Sequence, residues 1–310
     1  VAIRKRGRED HDQDFFSQLV GHTTSDAWPQ VLSSSTDLTK ELVENIQRTV
    51  GKMVAQVKSV IVEGPSLTDG IEDLSGISCS LAQALNAQTV ALLRYTPQMS
   101  VDTLPPFGEL FGQSMLGVVL NQITRYKKRE VQMNLIPSLE TRRGISPRTA
   151  VRVLGAIPED RRMLAVTVGQ LVNHIDGRFI SGEEGEDKLV ENIMIGGLVL
   201  EWGINYFGRF ENKAVMVRGD RPDIQMAALD TPTSCLVLTG GIDPTQYVSY
   251  ESKEEEVPLV VVDLDTHQPA ARLETLYERA SVHHPEKLEV FQGLLTSNVN
   301  LEPLLTALSR

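Results

Sequence analysis

Residues 213–241 read K-A-V-M-V-R-G-D-R-P-D-I-Q-M-A-A-L-D-T-P-T-S-C-L-V-L-T-G-G, and this stretch decides the fold class. Two short, solidly apolar runs flank a segment that opens with Pro222. Proline suits the first helical position, where its missing N–H costs little, and Q-M-A-A-L continues the helix. Strand, tight turn, helix, strand is a unit whose strands lie parallel and are covered on both faces, which is why the runs are apolar throughout instead of alternating. The first run ends at Gly219-Asp220-Arg221. The second ends at Thr239-Gly240-Gly241.

Outward from this unit the alternation of strand and helix continues. V-P-L-V-V-V stops at Asp263, and D-L-D-T follows. Upstream, R-F-I-S and N-I-M-I-G-G read as strands, and T-V-G-Q-L-V-N-H as a helix capped by Thr167. Pro158-Glu159-Asp160-Arg161-Arg162 reads as a boundary, with a proline ending a strand and charges marking a solvated link. The division expected is residues 1–160 and 161–310. In the first part, Leu38, Leu42, Ile46, Val50, Val54 and Val57 recur at helical spacing after Thr36-Asp37, which predicts a long amphipathic helix. S-V-I-V-E-G at 59–64 reads as a short β-rich run. T-V-A-L-L-R at 89–94, L-G-V-V-L-N at 116–121 and V-R-V-L-G-A-I-P at 151–158 read as strands, with a helix near Leu74–Leu85. From Pro285 to Leu308 the tail reads as helices.

The 310 residues suffice for two domains, and 41% hydrophobic residues is the composition of a globular chain. A net charge of −11 disfavours a nucleic-acid backbone as partner. Cys79 and Cys235 stand far apart without a C-x-x-C, which fits a reducing compartment. No apolar run approaches a membrane span and no signal peptide is visible, so the cytoplasm is the expected location.

Asp220-Arg221 after one strand and Thr239-Gly240-Gly241 after the next together resemble the DRTGG domain, with the match running from about Thr167 to about Thr266. Upstream, V-E-G at 62–64, G-V-V-L-N at 117–121 and L-G-A-I-P-E-D at 154–160 are similar to the later strands of a dethiobiotin-synthetase-like P-loop domain. That pair forms the N-terminal half of long phosphotransacetylases. The resemblance implies an α/β fold, a parallel-sheet P-loop-NTPase-like domain followed by a second α/β domain. It also implies a regulatory, self-associating module and hence a homo-oligomer. A P-loop ATPase needs G-x-x-x-x-G-K-[ST], and none occurs in these residues; Gly51-Lys52-Met53 lacks both the first glycine and the hydroxyl. The chain begins at Val1, and the family's P-loop is expected upstream of it. V-A-I-R-K-R then corresponds to the family's second strand, and Asp10–Phe16 to the acidic stretch after it.

The expected ligand site is Asp220, Arg221, Thr239, Gly240, Gly241, Asp263 and Thr266, with Asp265 on the same edge. Open parallel sheets bind ligands at the carboxyl ends of their strands, and glycines let a backbone approach closely. Arg221 can grip a phosphate or carboxylate with two hydrogen bonds, or it can pair with Asp220 as a helix cap. Thr239-Gly240-Gly241 can also be a plain turn. By resemblance, Glu63 matches a magnesium-holding carboxylate and Asn121 an adenine-recognising Asn, as vestigial nucleotide contacts. The alternatives are a strand-ending Glu and an Asn that bonds its own turn. His283-His284 lacks a third ligand nearby, His174 suits a helix end, Asp10–Asp14 an acidic helix start, and Cys235 a core position. The function expected is therefore non-catalytic: a sensor of a small metabolite or nucleotide, with magnesium as its conceivable companion. The alternative is a P-loop ATPase or ATP-dependent ligase of the dethiobiotin synthetase class whose start lies before Val1.

Overall fold

In a computed structural model, residues 3–5, 15, 30–32, 40–55, 57–64, 74–101, 107–141, 151–197 and 202–309 are described. Two compact units form: Val1–Glu159 with Phe291–Arg310, and Asp160–Val290.

In the first unit, β1 (Ile3–Lys5) pairs parallel with β2 (Gln30–Leu32). The long helix expected after Thr36 is α1 (Lys40–Val54), and Ile46 and Val50 form its buried stripe. They pack on Ile77 and Leu81 of α2 (Leu74–Leu85). Next come β3 (Thr89–Arg94), α3 (Phe107–Phe111), β4 (Met115–Ile123) and β5 (Val153–Pro158). The three strands form a parallel sheet in the order β3-β4-β5. Successive residues of β4 face opposite sides. Val118 and Leu120 join Cys79, Ala82, Phe107 and Phe111 on one face, and Val119 joins Leu154, Ile157 and Val299 on the other.

Residues 59–64 depart from expectation. They form no strand beyond an isolated bridge at Glu63. Val60 and Val62 lie against the α1–α2 cluster while Ile61 is 75% exposed. The alternation is that of an extended segment lying across two helices, which buries every second side chain without a ladder. The acidic stretch Asp10–Asp14 falls outside the described residues.

The second unit carries β6 (Val166–Thr167), α4 (Val168–His174), β7 (Arg178–Ser181), β8 (Leu189–Val190), β9 (Asn192–Ile195), α5 (Gly203–Phe207) and β10 (Lys213–Arg218). It continues with α6 (Pro222–Leu229), β11 (Thr233–Thr239), α7 (Gln246–Glu254), β12 (Leu259–Val262) and α8 (His267–Arg272). Thr167 and Gln170 close a capping box at the start of α4, satisfying two backbone donors reciprocally. The five-stranded sheet has the order β7-β12-β11-β10-β9. β9 to β12 are parallel, and β7 adds an antiparallel edge. Ala214, Met216, Cys235, Val237, Val260 and Val262 face α4 and the segment around Leu273 and Leu276. Val215, Val217, Leu236, Leu238, Leu259 and Val261 face Phe207, Ile224, Ala228 and Val248 on α5, α6 and α7. Both faces are covered, as continuous apolar strands require.

α9 (Pro285–Asn298) and α10 (Glu302–Leu308) end the chain. Their later residues complete the first unit. Val299 bridges Gly155, Asn300 N–H donates to Leu154 O at 2.7 Å, and a Cβ at Gly155 would sit 2.4 Å from Asn298 O. Only glycine admits this approach.

Candidate functional site

Register brings the two motifs together. Arg218, Thr239 and Val262 are partners across β10, β11 and β12, so the loops after them leave one carboxyl edge. The turn after β10 and the loop after β11 touch. Gly219 N–H donates to Thr239 O at 2.9 Å, and a Cβ at Gly219 would meet Ile242 Cβ at 2.6 Å. Gly240 N–H donates to Leu264 O at 2.8 Å and Gly241 N–H to Val262 O at 3.0 Å, which ties in the segment after β12. Both glycines are left-handed, with φ of 89° and 64°. Nothing lies within 4 Å of a Cβ at Gly240, whereas one at Gly241 would meet Asp263 Oδ1 at 3.4 Å.

Thr239 is buried, and its Oγ1 lies 2.7 Å from Thr266 Oγ1. Asp265 Oδ1 accepts from His267 N–H at 3.1 Å and Gln268 N–H at 3.3 Å, and so caps α8. Asp263 is exposed. Asp220 is held by Arg218, and Arg221 takes Asp223 through two hydrogen bonds of 2.9 and 2.8 Å. These bonds keep the Asp223 carboxyl below its usual range. Arg221 is also the N-cap residue of α6, without a side-chain cap bond.

The vestigial pair sits in the first unit. Glu63 is exposed in the 59–64 segment. Asn121 ends the pairing of β4 with β3, and its Oδ1 accepts from Gln122 N–H at 2.9 Å, where Gln122 is left-handed with φ of 59°. Among the described residues no three His, Cys, Asp or Glu side chains are grouped to hold a metal. His174 Nε2 donates to Arg272 O at 2.8 Å, and His283 Nδ1 is hydrogen-bonded to Ser281 Oγ at 2.9 Å. Cys235 has no exposed surface, and burial pushes its thiol up to about 12, as suits a core residue.

Three residues of this unit escaped the reading of the sequence. Gln225, fully buried on α6, donates from Nε2 to Arg218 O at 2.9 Å and Gly219 O at 3.1 Å, fastening the turn after β10. Arg218 stands 67% exposed at the strand end. Lys287 is buried with its ammonium donating to the carbonyls of Met163, Ala165 and Ser281, at 3.2, 2.5 and 2.6 Å. Arg218, directly before the turn glycine, was the one with a signal: a charge closing an otherwise apolar strand.

A depression of about 640 Å³ opens at the opposite, amino edge, lined by Lys188, Asn212, Thr231, Ser234 and Glu255 among others. Several of its polar groups are committed. Thr231 Oγ1 donates to Ala228 O, Ser234 Oγ to Leu189 O and Lys188 Nζ to Glu256 O. The carboxyl edge, where the two motif turns meet, has the stronger claim.

An α/β unit with converging glycine turns at the carboxyl edge of a mainly parallel sheet defines the class. The particular match follows from comparison with known proteins. Residues 170–276 match the model of the DRTGG domain. It is 22% identical over 287 residues to a phosphate acetyltransferase of Synechocystis sp., an alignment covering 86% of this chain and 40% of the relative. The chain thus spans about two-fifths of the length of that curated relative. Among solved structures, it is similar to the CBS and DRTGG domains of the regulatory region of Clostridium perfringens pyrophosphatase, complexed with the activator diadenosine tetraphosphate. There the identity is 11%, the TM-score 0.33, and the coverage 61% of this chain and 74% of that one. A likeness this loose carries no argument.

Proposed function

We propose that this chain is a non-catalytic, ligand-sensing protein that holds a small metabolite or nucleotide at the carboxyl edge of its second unit. Asp220, Arg221, Thr239, Gly240, Gly241, Asp263 and Thr266 mark that edge. The observation that carries the reading is the contact between the two motif turns, Gly219 against Ile242 with Gly219 N–H on Thr239 O. Glycine is demanded there by the close approach of another loop, and the result is a shared edge instead of two separate turns. The motif that would cradle a triphosphate does not occur in these residues, so binding without turnover is the role that the DRTGG edge supports. The resemblance also implies self-association, which sedimentation of the purified chain tests.

A thermal-shift series with ATP, ADP, AMP, NADH and acetyl phosphate, each with and without magnesium, tests the reading. A ligand that binds only the folded state at a hundredfold excess over its Kd adds about 2.7 kcal/mol of stability. At least one compound is expected to raise the Tm, and Thr239→Val is expected to cancel the rise. No rise with any compound overturns the reading.

A further inference from the structure

We infer that Arg218, not Arg221, is the anion-contacting residue of this edge, and that the ligand is a small phosphorylated molecule bearing free hydroxyls, of the nucleoside monophosphate or sugar phosphate kind. The inference rests on the ligand-binding reading above and deepens it.

Three arrangements support it. The first is placement. Met216, Val237, Val260 and Val262 all belong to one face of the sheet. Side chains alternate along a strand, so Arg218 and Thr239, two residues beyond Met216 and Val237, share that face. They are register partners on adjacent strands, hence about 5 Å apart at the backbone. A guanidinium and a buried hydroxyl thus leave the sheet side by side.

The second is spare donor capacity. Two threonine hydroxyls carry two protons, and their mutual contact uses one. Among the described residues no acceptor is recorded for the other, so the Thr239–Thr266 pair has a proton to give. Among the described residues the Arg218 guanidinium bonds through one nitrogen to Asp220 Oδ2, and its fork has five N–H donors. That carboxylate is partly exposed and from the same turn. It serves as an internal stand-in for the oxygen of an anionic ligand. Arg221 differs. Its guanidinium is engaged twice by Asp223 in the first turn of α6, so its role is to brace the helix start.

The third concerns the rest of the ligand. Gly240 presents open space directly after Thr239, and the Asp263 carboxylate lies against Gly241. Asp263 has no recorded ion pair among the described residues. A carboxylate at a strand end accepts from sugar hydroxyls, as in dinucleotide sites. Asp220, Asp263 and Asp265 disfavour a bare polyanion on this edge, whereas a single phosphate with a hydroxyl-bearing body offers each group a partner.

Isothermal titration of the whole chain with AMP, ribose 5-phosphate, inorganic phosphate and adenosine tests the assignment. The phosphorylated sugars are expected to bind and adenosine not to. Tighter binding of AMP than of ribose 5-phosphate identifies a nucleotide as the source, and equal binding a sugar phosphate; both support the shared chemistry. Arg218→Gln should weaken AMP roughly ten- to a hundredfold, the loss of one charge-assisted contact, with the ligand-free Tm unchanged because the side chain is exposed. Arg221→Gln should lower the ligand-free Tm and leave affinity within about threefold. Asp263→Asn should weaken ribose 5-phosphate but not inorganic phosphate. If AMP binds, is lost in Thr239→Val and is undiminished in Arg218→Gln, the Arg218 assignment falls while the edge site stands. If the unaltered chain binds none of the four probes but gains stability from another compound of the thermal-shift series, the ligand class falls and the sensor reading stands. If nothing binds in either experiment, both fall.

Discussion

The two sheets end differently. At the carboxyl edge of β3 to β5 the exposed turn groups are largely used where they stand, although the buried Thr124 Oγ1 has no hydrogen-bond partner among the described residues. Asn121 Oδ1 takes Gln122 N–H, Asn121 O takes Tyr95 N–H, and Ile123 O takes Glu159 N–H. At the edge of β9 to β12 a hydroxyl proton, most of a guanidinium fork and an exposed carboxylate remain after the turns have closed. Parallel topology alone therefore does not make a site; what matters is the hydrogen-bonding capacity left over once the backbone is satisfied.

One expected effect separates the units by pH. Lys213 begins β10 with no exposed surface, and its ammonium donates to Pro232 O. Burial lowers its pKa from 10.5 to about 8. Below pH 8 the folded state carries the full burial penalty, on the order of 3 kcal/mol. Between these values the unfolded chain binds more protons, so stability rises with pH. Cys235 works in the opposite direction, because its thiol moves from 9.0 to about 12 and stability falls with pH across that window. From pH 8 to 9, Lys213 therefore dominates, with a rise of up to about 1 kcal/mol. The first sheet's strands start at Thr89, Met115 and Val153, none of which titrates. Denaturant unfolding of Lys213→Met at pH 8 and 9 should lose this rise; if the slope survives, it belongs to another group.

Next comes Gly241→Val. A β-branched residue at φ of 64° costs about 1–3 kcal/mol of strain, and its side chain would fill the space beside Asp263 Oδ1, 3.4 Å from the Cβ. Ligand binding at the second edge should disappear while the protein still folds, as circular dichroism with titration of the binding compound reveals. Retained binding would erase the distinction between the edges.

Much of this contrast was legible in the residues. The βαβ unit at 213–239, the glycine turns and Thr167 as a cap carry local signals with mechanisms behind them: proline at a helix start, apolar runs, glycine at positive φ. The edge residues were legible because strand ends name themselves. Their partners were not. That Arg221 takes Asp223 and Arg218 takes Asp220 depends on which way short side chains turn at a helix start, and Ile242 over Gly219 is a contact between loops. The 59–64 segment misled because alternating apolar residues bury equally well across two helices as in a sheet. The return of residues 291–310 to the first unit rests on Gly155, whose significance appears only when Val299 lies beside it.

The smallest expected effect is the most discriminating. Asn121→Ala removes one exposed side-chain acceptor from Gln122 N–H, in a turn whose left-handed residue Asn121 helps to hold. The loss should be about 0.5–1 kcal/mol, and binding of any nucleotide by the chain should be untouched. The side chain has spent its carbonyl on its own turn, so a base edge would have to displace that bond and leave a backbone donor to water. If Asn121→Ala instead weakens a nucleotide tenfold while Arg218→Gln does not, the first sheet's edge is the working site, and residual polar capacity is the wrong criterion for telling the two edges apart.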